Sequence, residues 1–188
     1  MRGKKKVSLA IMLILIVSLS ISVVAFADVR IKFSGTQTMA TNTARRIYVS
    51  GAGSRRVSVT SSSGSVSVRK DATSYIVTGK KAGSSYVTVT VGSIRRRIHT
   101  VVLSDNQIKE RVLARARKYY GNKARLFESE CFRSKDGKTY NVTLVKPQGD
   151  GAPLLRVKVN LSTGRAVCEG GWAEFFSKMP KSFLIWSN

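Results

Sequence analysis

Histidine is almost missing from this chain: His99 is the only one in 188 residues. Cysteine is nearly as scarce, with Cys131 and Cys168 the whole supply. A zinc site draws three or four ligands from Cys, His and carboxylate, so neither a thiolate metal centre nor any cofactor is expected. Acid is short as well, at 10 Asp and Glu against 33 Lys and Arg. Nucleophilic hydrolysis needs a base beside a Ser or Cys, and His99 sits in Arg97-Ile98-His99-Thr100 among three arginines with nothing nearby to complete a triad. Glycoside chemistry needs two acids facing one cleft. Glu128 and Glu130, two apart on one expected strand, read instead as solvated partners of the surrounding Lys and Arg. The chain reads as non-catalytic.

What is present begins with a leader. Arg2, Lys4, Lys5 and Lys6 precede an uncharged apolar stretch from Val7 to Phe26 that closes on Ala25-Phe26-Ala27. That order is a secretory signal over residues 1–27, with the cut before Asp28. An uncleaved anchor is the alternative, because about 18 apolar residues can span a bilayer; Ser8, Ser18, Ser20 and Ser22 dilute the run and favour cleavage. Either reading puts the rest of the chain outside the cytoplasm, secreted or held at the cell envelope. The leader takes four of the 33 basic residues and none of the 10 acidic ones, which leaves a net charge of +19 on the remainder. Such a field attracts teichoic acids, lipid headgroups, host glycans and stray nucleic acid alike. Outside the cytoplasm the even pair Cys131 and Cys168 reads as a disulfide.

Residues 28–103 are rich in Ser, Thr, Val and Gly, lack Pro, and show no long helical period. Runs at 46–49, 56–59, 65–68, 75–77 and 86–91 are short and β-branched, several of them alternating, with turn residues between them. That spacing predicts an all-β sandwich. Val57 to Ser62, Ser65-Val66-Ser67-Val68, and Ile76-Val77-Thr78-Gly79-Lys80-Lys81-Ala82-Gly83 running into Tyr86-Val87-Thr88-Val89 together resemble the bacterial Ig-like domain of group 2, with Val59 standing where that family has its core Trp. Gly79 and Gly83 are expected at positive φ, where tight corners need glycine.

Ser104-Asp105-Asn106-Gln107 fits a capping box. Ile108, Val112, Leu113, Ala116, Tyr119 and Tyr120 then share one helical arc, and Gly121 provides a stop. The pattern predicts a helix over 105–120 with Arg111, Arg115 and Lys118 on its opposite side. Period two returns over 126–133, 139–145, 154–161 and 165–169, with hairpin turns at Lys135-Asp136-Gly137 and Ser162-Thr163-Gly164. A helix followed by an antiparallel meander is an α+β layer. Ala114 to Tyr120, Asp136-Gly137-Lys138-x-Tyr140-x-Val142 and Val157-x-Val159-Asn160-Leu161-Ser162-Thr163-Gly164-x-Ala166-Val167 resemble a PepSY-type or cystatin-like module. The aromatic tail, Trp172 to Pro180 and Phe183 to Trp186, reads as a last helix and coil closing the second core, or as a docking surface where Trp is favoured.

The basic clusters are Arg45-Arg46, Arg55-Arg56, Lys80-Lys81 and Arg95-Arg96-Arg97 at strand ends or edges, with Arg111, Arg115 and Lys118 on the helix. They are the candidate contacts for an anionic polymer. Neighbours on a strand point to opposite faces, so scattered charge that keeps sheet edges from pairing accounts for them equally well. Nucleic acid is not expected, since Tyr48, Tyr75 and Tyr86 fall inside strands rather than between the charges.

The expected fold class is thus all-β plus α+β: an Ig-like β-sandwich over 28–103, then a small domain of one helix packed on an antiparallel sheet over 104–188. The expected function is binding at the envelope or outside it, to an anionic cell-wall polymer, to lipid headgroups or to another envelope protein. The first resemblance implies a spacer or adhesive module. The second implies the alternative, a regulator or inhibitor of an extracellular peptidase.

Overall fold

The computed structural model describes residues 29–35, 37–145, 153–171 and 179–186. The leader and the tail segment 172–178 lie outside these, so the expectations placed on them do too. The described residues are mostly strand, with one α-helix among them. Eight strands come first: β1 (Arg30–Phe33), β2 (Thr38–Ala40), β3 (Ala44–Ser50), β4 (Val57–Ser61), β5 (Val66–Asp71), β6 (Ser74–Gly79), β7 (Gly83–Val91) and β8 (Ile94–Leu103). They form two open four-stranded sheets, ordered β1-β3-β6-β5 and β2-β8-β7-β4. Every pairing is antiparallel except β2 with β8.

Alternation decides which side chains meet. Along β7, Val87, Val89 and Val91 are fully buried on one face, and Tyr86, on the other face, is exposed, as a period of two requires. These valines join Ile98 and Val102 of β8, Met39 of β2, and Ile47, Val66 and Val77 of the other sheet in one buried cluster. Both sheets therefore bury one face into the same core. Gly83 has the expected positive φ, +142°, but Gly79 does not. Glycine is needed at Gly79 for close approach instead: a Cβ there would sit 2.9 Å from the Ala40 carbonyl oxygen and 3.0 Å from Val102.

The helix α1 (Asp105–Tyr120) spans the predicted residues. Ser104 Oγ accepts from the Gln107 backbone N–H at 3.2 Å, and Gln107 Oε1 accepts from the Ser104 N–H at 2.9 Å, so both bonds of the capping box are made. Tyr119 is exposed rather than on the buried arc. Substituting Ser104→Ala is expected to lower stability by about 1 kcal/mol, read as a shift of the urea midpoint at constant slope; no shift would mean the cap is idle.

The remaining strands are β9 (Arg125–Leu126), β10 (Phe132–Arg133), β11 (Thr139–Val145), β12 (Pro153–Asn160), β13 (Arg165–Gly171) and β14 (Ser182–Leu184). They make a sheet ordered β10-β11-β12-β13-β14, with β9 also on β11. The single strand expected over 126–133 is instead two short strands broken by a 3-10 turn at Glu128–Glu130. The turn closes through Glu130 N–H to the Phe127 carbonyl and Cys131 N–H to the Glu128 carbonyl. It leaves Glu128 to pair with Lys109 of α1, so the two glutamates do not share a strand face. Ile108, Val112, Leu113, Ala116 and Tyr120 of α1 pack on the sheet's inner face, and Ala40 and Leu103 from the first eight strands belong to this same cluster. Among the described residues no helix is long and apolar enough to cross a membrane.

The expected disulfide is not formed; both cysteines are free. Cys168 faces Val157 on β12, Val157 faces Val142 on β11, and Cys131 lies one residue before the Phe132–Asn141 pair that joins β10 to β11. Three strand spacings of about 4.8 Å separate them, and a disulfide needs Cα atoms within about 7 Å. Cys131 donates instead to the Phe127 carbonyl at 3.3 Å and Cys168 to the Pro180 carbonyl at 3.5 Å. Burial pushes both thiols above their ordinary range, so they stay protonated and slow to react at neutral pH. Unfolding without reductant is expected to expose two alkylatable thiols by mass spectrometry; a protein that takes up none would restore the disulfide.

Candidate anion-binding face

Between Val29 and Ser104 the sequence holds 13 Lys and Arg and a single acidic residue, Asp71. Strand geometry then distributes those charges. Arg45 and Arg46 are neighbours on β3 and face opposite ways: Arg46 lies outside, paired with Asp71 and donating to Ser74 Oγ at 2.9 Å. Arg45 follows Ile47 to the inner side and is buried. It donates to the Ser162 carbonyl in the turn between β12 and β13, and burial lowers its pKa. Arg45 is therefore not available to a polymer. Arg133 also links the two halves of the chain: it donates to the Thr41 carbonyl at 2.9 Å and pairs with Asp105.

The other candidates divide similarly. Arg55 donates to the carbonyls of Ala52 and Gly51 and so braces its own loop, while Arg56, Lys80 and Lys81 are exposed. On α1, Arg111 donates to the Ile185 carbonyl at 2.9 Å and the Arg115 guanidinium lies 5.7 Å from the centre of the Phe183 ring. These two hold the C-terminal segment rather than form a separate basic stripe; Lys118 is exposed in the last turn.

Arg95-Arg96-Arg97 is where the structure gathers something. Arg96 leans to the inner side and donates to the Ile31 carbonyl at 3.3 Å. Arg95 and Arg97 share the outer face of β8, and the register sets Arg97 beside Thr88 and Thr60, and Arg95 beside Thr90 and Ser58. Tyr86 stands opposite His99 on the same face, with ring centres 5.1 Å apart and planes tilted by 37°. The Arg97 guanidinium lies 4.3 Å from the centre of the Tyr86 ring, a cation–π contact. No acidic residue occurs on β2, β4, β7 or β8. Chemically the face offers two guanidinium forks, the hydroxyls of Ser58, Thr60 and Thr90, and a tilted aromatic pair, while Thr88 is buried.

Tyr86 and His99 were not among the sequence candidates. Thirteen residues separate them, and only the β7–β8 register brings them together.

A concavity of about 320 Å³ lies on the third sheet between Glu130, Phe132, Asn141, Arg156 and Glu169. There Glu169 is already paired with Lys158 at 3.4 Å. Among the described residues no three His, Cys, Asp or Glu side chains converge as a metal site would require.

No family model and no curated protein matches the chain. Among solved structures it is similar to an S-layer protein, at 13% identity and a TM-score of 0.31 over 77% of this chain. It is also similar to a chimeric titin Z1Z2 tandem functionalised with a fibronectin-derived peptide, at 10% identity and a TM-score of 0.28 over 76% of this chain and 92% of that one. The chain spans 25% of the S-layer chain's length.

Proposed function

We propose that this chain is an exported, non-catalytic binding protein of the cell envelope or the space outside it. In this reading residues 28–103 are an Ig-like β-sandwich, residues 104–188 a helix-on-sheet module, and the basic surface attracts anionic polymer or lipid headgroups. Two four-stranded sheets burying one common cluster support the sandwich, and the basic, apolar leader supports export. The observation that carries the functional reading is the outer face of β8, where Arg95 and Arg97 stand on a sheet without acid. A field of that sign concentrates polyanions before any specific contact forms. The peptidase-regulator reading rests on the second module's resemblance alone.

Binding to purified wall polymer and to anionic vesicles is therefore expected to be electrostatic. Affinity should fall steeply as added salt shortens the screening length from about 10 Å at 0.1 M to about 3 Å at 1 M. Neutral vesicles should not bind. Equal affinity at both salt concentrations would defeat this reading.

A further inference from the structure

We infer that the outer face of β4, β7 and β8 is a subsite for a phosphodiester-linked polyol polymer of the envelope, with Arg95 and Arg97 holding successive phosphates and Tyr86 backing Arg97. The inference deepens the proposed function and rests on it. Arg95 and Arg97 are two residues apart on one strand face, about 6.6–6.8 Å, which is the scale of one repeat in a chain whose phosphates are joined through a short polyol. Each arginine has an exposed hydroxyl in register with it on β4, Thr60 for Arg97 and Ser58 for Arg95; on β7 between them Thr90 is half-buried and Thr88 buried. A guanidinium stacked by its face keeps its edge N–H donors free, and those donors match phosphate two at a time. Arg97 is held in that way 4.3 Å from the centre of the Tyr86 ring, and His99 flanks the same ring. Holding the side chain before the ligand arrives reduces the ordering cost of binding.

The surroundings choose among polyanions. At the far end of β8, Val101 and Leu103 pack against the second core, so the face is open at its Arg95 end. A single-stranded nucleic acid is gripped by successive aromatic platforms, whereas Tyr86 and His99 form one contiguous pair of rings 5.1 Å apart. A bilayer takes up apolar side chains that project from a surface, and here the aromatic ring lies under an arginine. A flexible polyol-phosphate chain needs neither.

The test uses the exported protein and three probes: synthetic poly(glycerol phosphate) of defined length, phosphatidylglycerol vesicles, and homopolymeric single-stranded DNA of matched phosphate number. Two double variants remove the same charge, Arg95→Ala with Arg97→Ala, and Arg69→Ala with Lys70→Ala, both exposed on β5. The first pair is expected to weaken poly(glycerol phosphate) binding by roughly tenfold per arginine, the scale of a charge-assisted hydrogen bond. The second should weaken it less than about threefold, the scale of exposed charge. Tyr86→Leu should cost several-fold by freeing Arg97. Equal losses from the two pairs would overturn the subsite and leave the proposed function standing. No binding of any probe by the unaltered protein at low salt would remove the proposed function as well. Tighter binding of vesicles or DNA through the same two arginines would overturn the polymer assignment.

Discussion

Gly164→Ala is expected to destabilise the protein by about 2–5 kcal/mol. Gly164 closes the β12–β13 turn at φ +72°, where an L side chain is strained, at a cost of about 1–2 kcal/mol. Space is the larger problem. A Cβ there would lie 2.3 Å from Trp186 Cε2 and 2.4 Å from Nε1, and Trp186 is itself only 3% exposed. The ring is held over the glycine because the Ile185 N–H donates to the Gly164 carbonyl at 2.9 Å. The indole must shift, and overpacking of this kind costs about 1–3 kcal/mol. Gly137→Ala is the control: φ is +67° there, but nothing lies within 4 Å of the new Cβ, so the strain of about 1–2 kcal/mol stands alone. Urea unfolding followed by Trp186 fluorescence in a Trp172→Phe background separates the two. Equal losses would mean that Trp186 does not pack on the turn.

Leu103→Ala is expected to cost about 2–5 kcal/mol and Val102→Ala about 2 kcal/mol, each in a different place. These neighbours end β8 and are 2% and 1% exposed. Adjacent residues on a strand face opposite ways: Val102 enters the core between the first two sheets, and Leu103 enters the core beneath α1. Hydrogen exchange locates the damage. If the two cores are separate folding units, Val102→Ala should speed exchange in β3, β6 and β7, and Leu103→Ala in α1, β11 and β12. Equal acceleration in both sets from either variant would show one cooperative unit. Residues 104–188 expressed alone leave behind Ala40 and Leu103 of their core, and the Thr41 acceptor of Arg133. That fragment is expected to fold, at lower stability than the same core in the whole chain.

The helix over 105–120 was legible in the sequence because everything that defines it is local: an apolar arc at helical spacing and a cap made by residues three apart. The strand runs at 86–91 and 139–145 were legible for the same reason, as were the turn glycines at Gly137 and Gly164, both at positive φ. The break at Glu128–Glu130 was not. Its residues, Glu128-Ser129-Glu130, include no Gly or Pro to mark a turn, and the turn is held by Lys109 on the helix and by the Thr143 carbonyl, which accepts from the Phe127 N–H at 2.9 Å.

Sites fared differently from elements. Arg45 looks like its neighbour Arg46 in the sequence, yet one is buried against Ser162 and the other pairs with Asp71; strand parity and a partner 117 residues away make that difference. The cysteines were read as a pair because they are two, and the sheet order separates them by two intervening strands. By itself the sequence determined the excess of positive charge, the poverty in catalytic side chains, the strand-rich first half and the capped helix, since these follow from composition and short-range periodicity. Only the tertiary structure decided which arginines stand free, that Tyr86, Arg97 and His99 form one face, and that Val102 and Leu103 serve two cores. Those outcomes depend on cross-strand register and sheet order, which are set by burial summed over the whole chain.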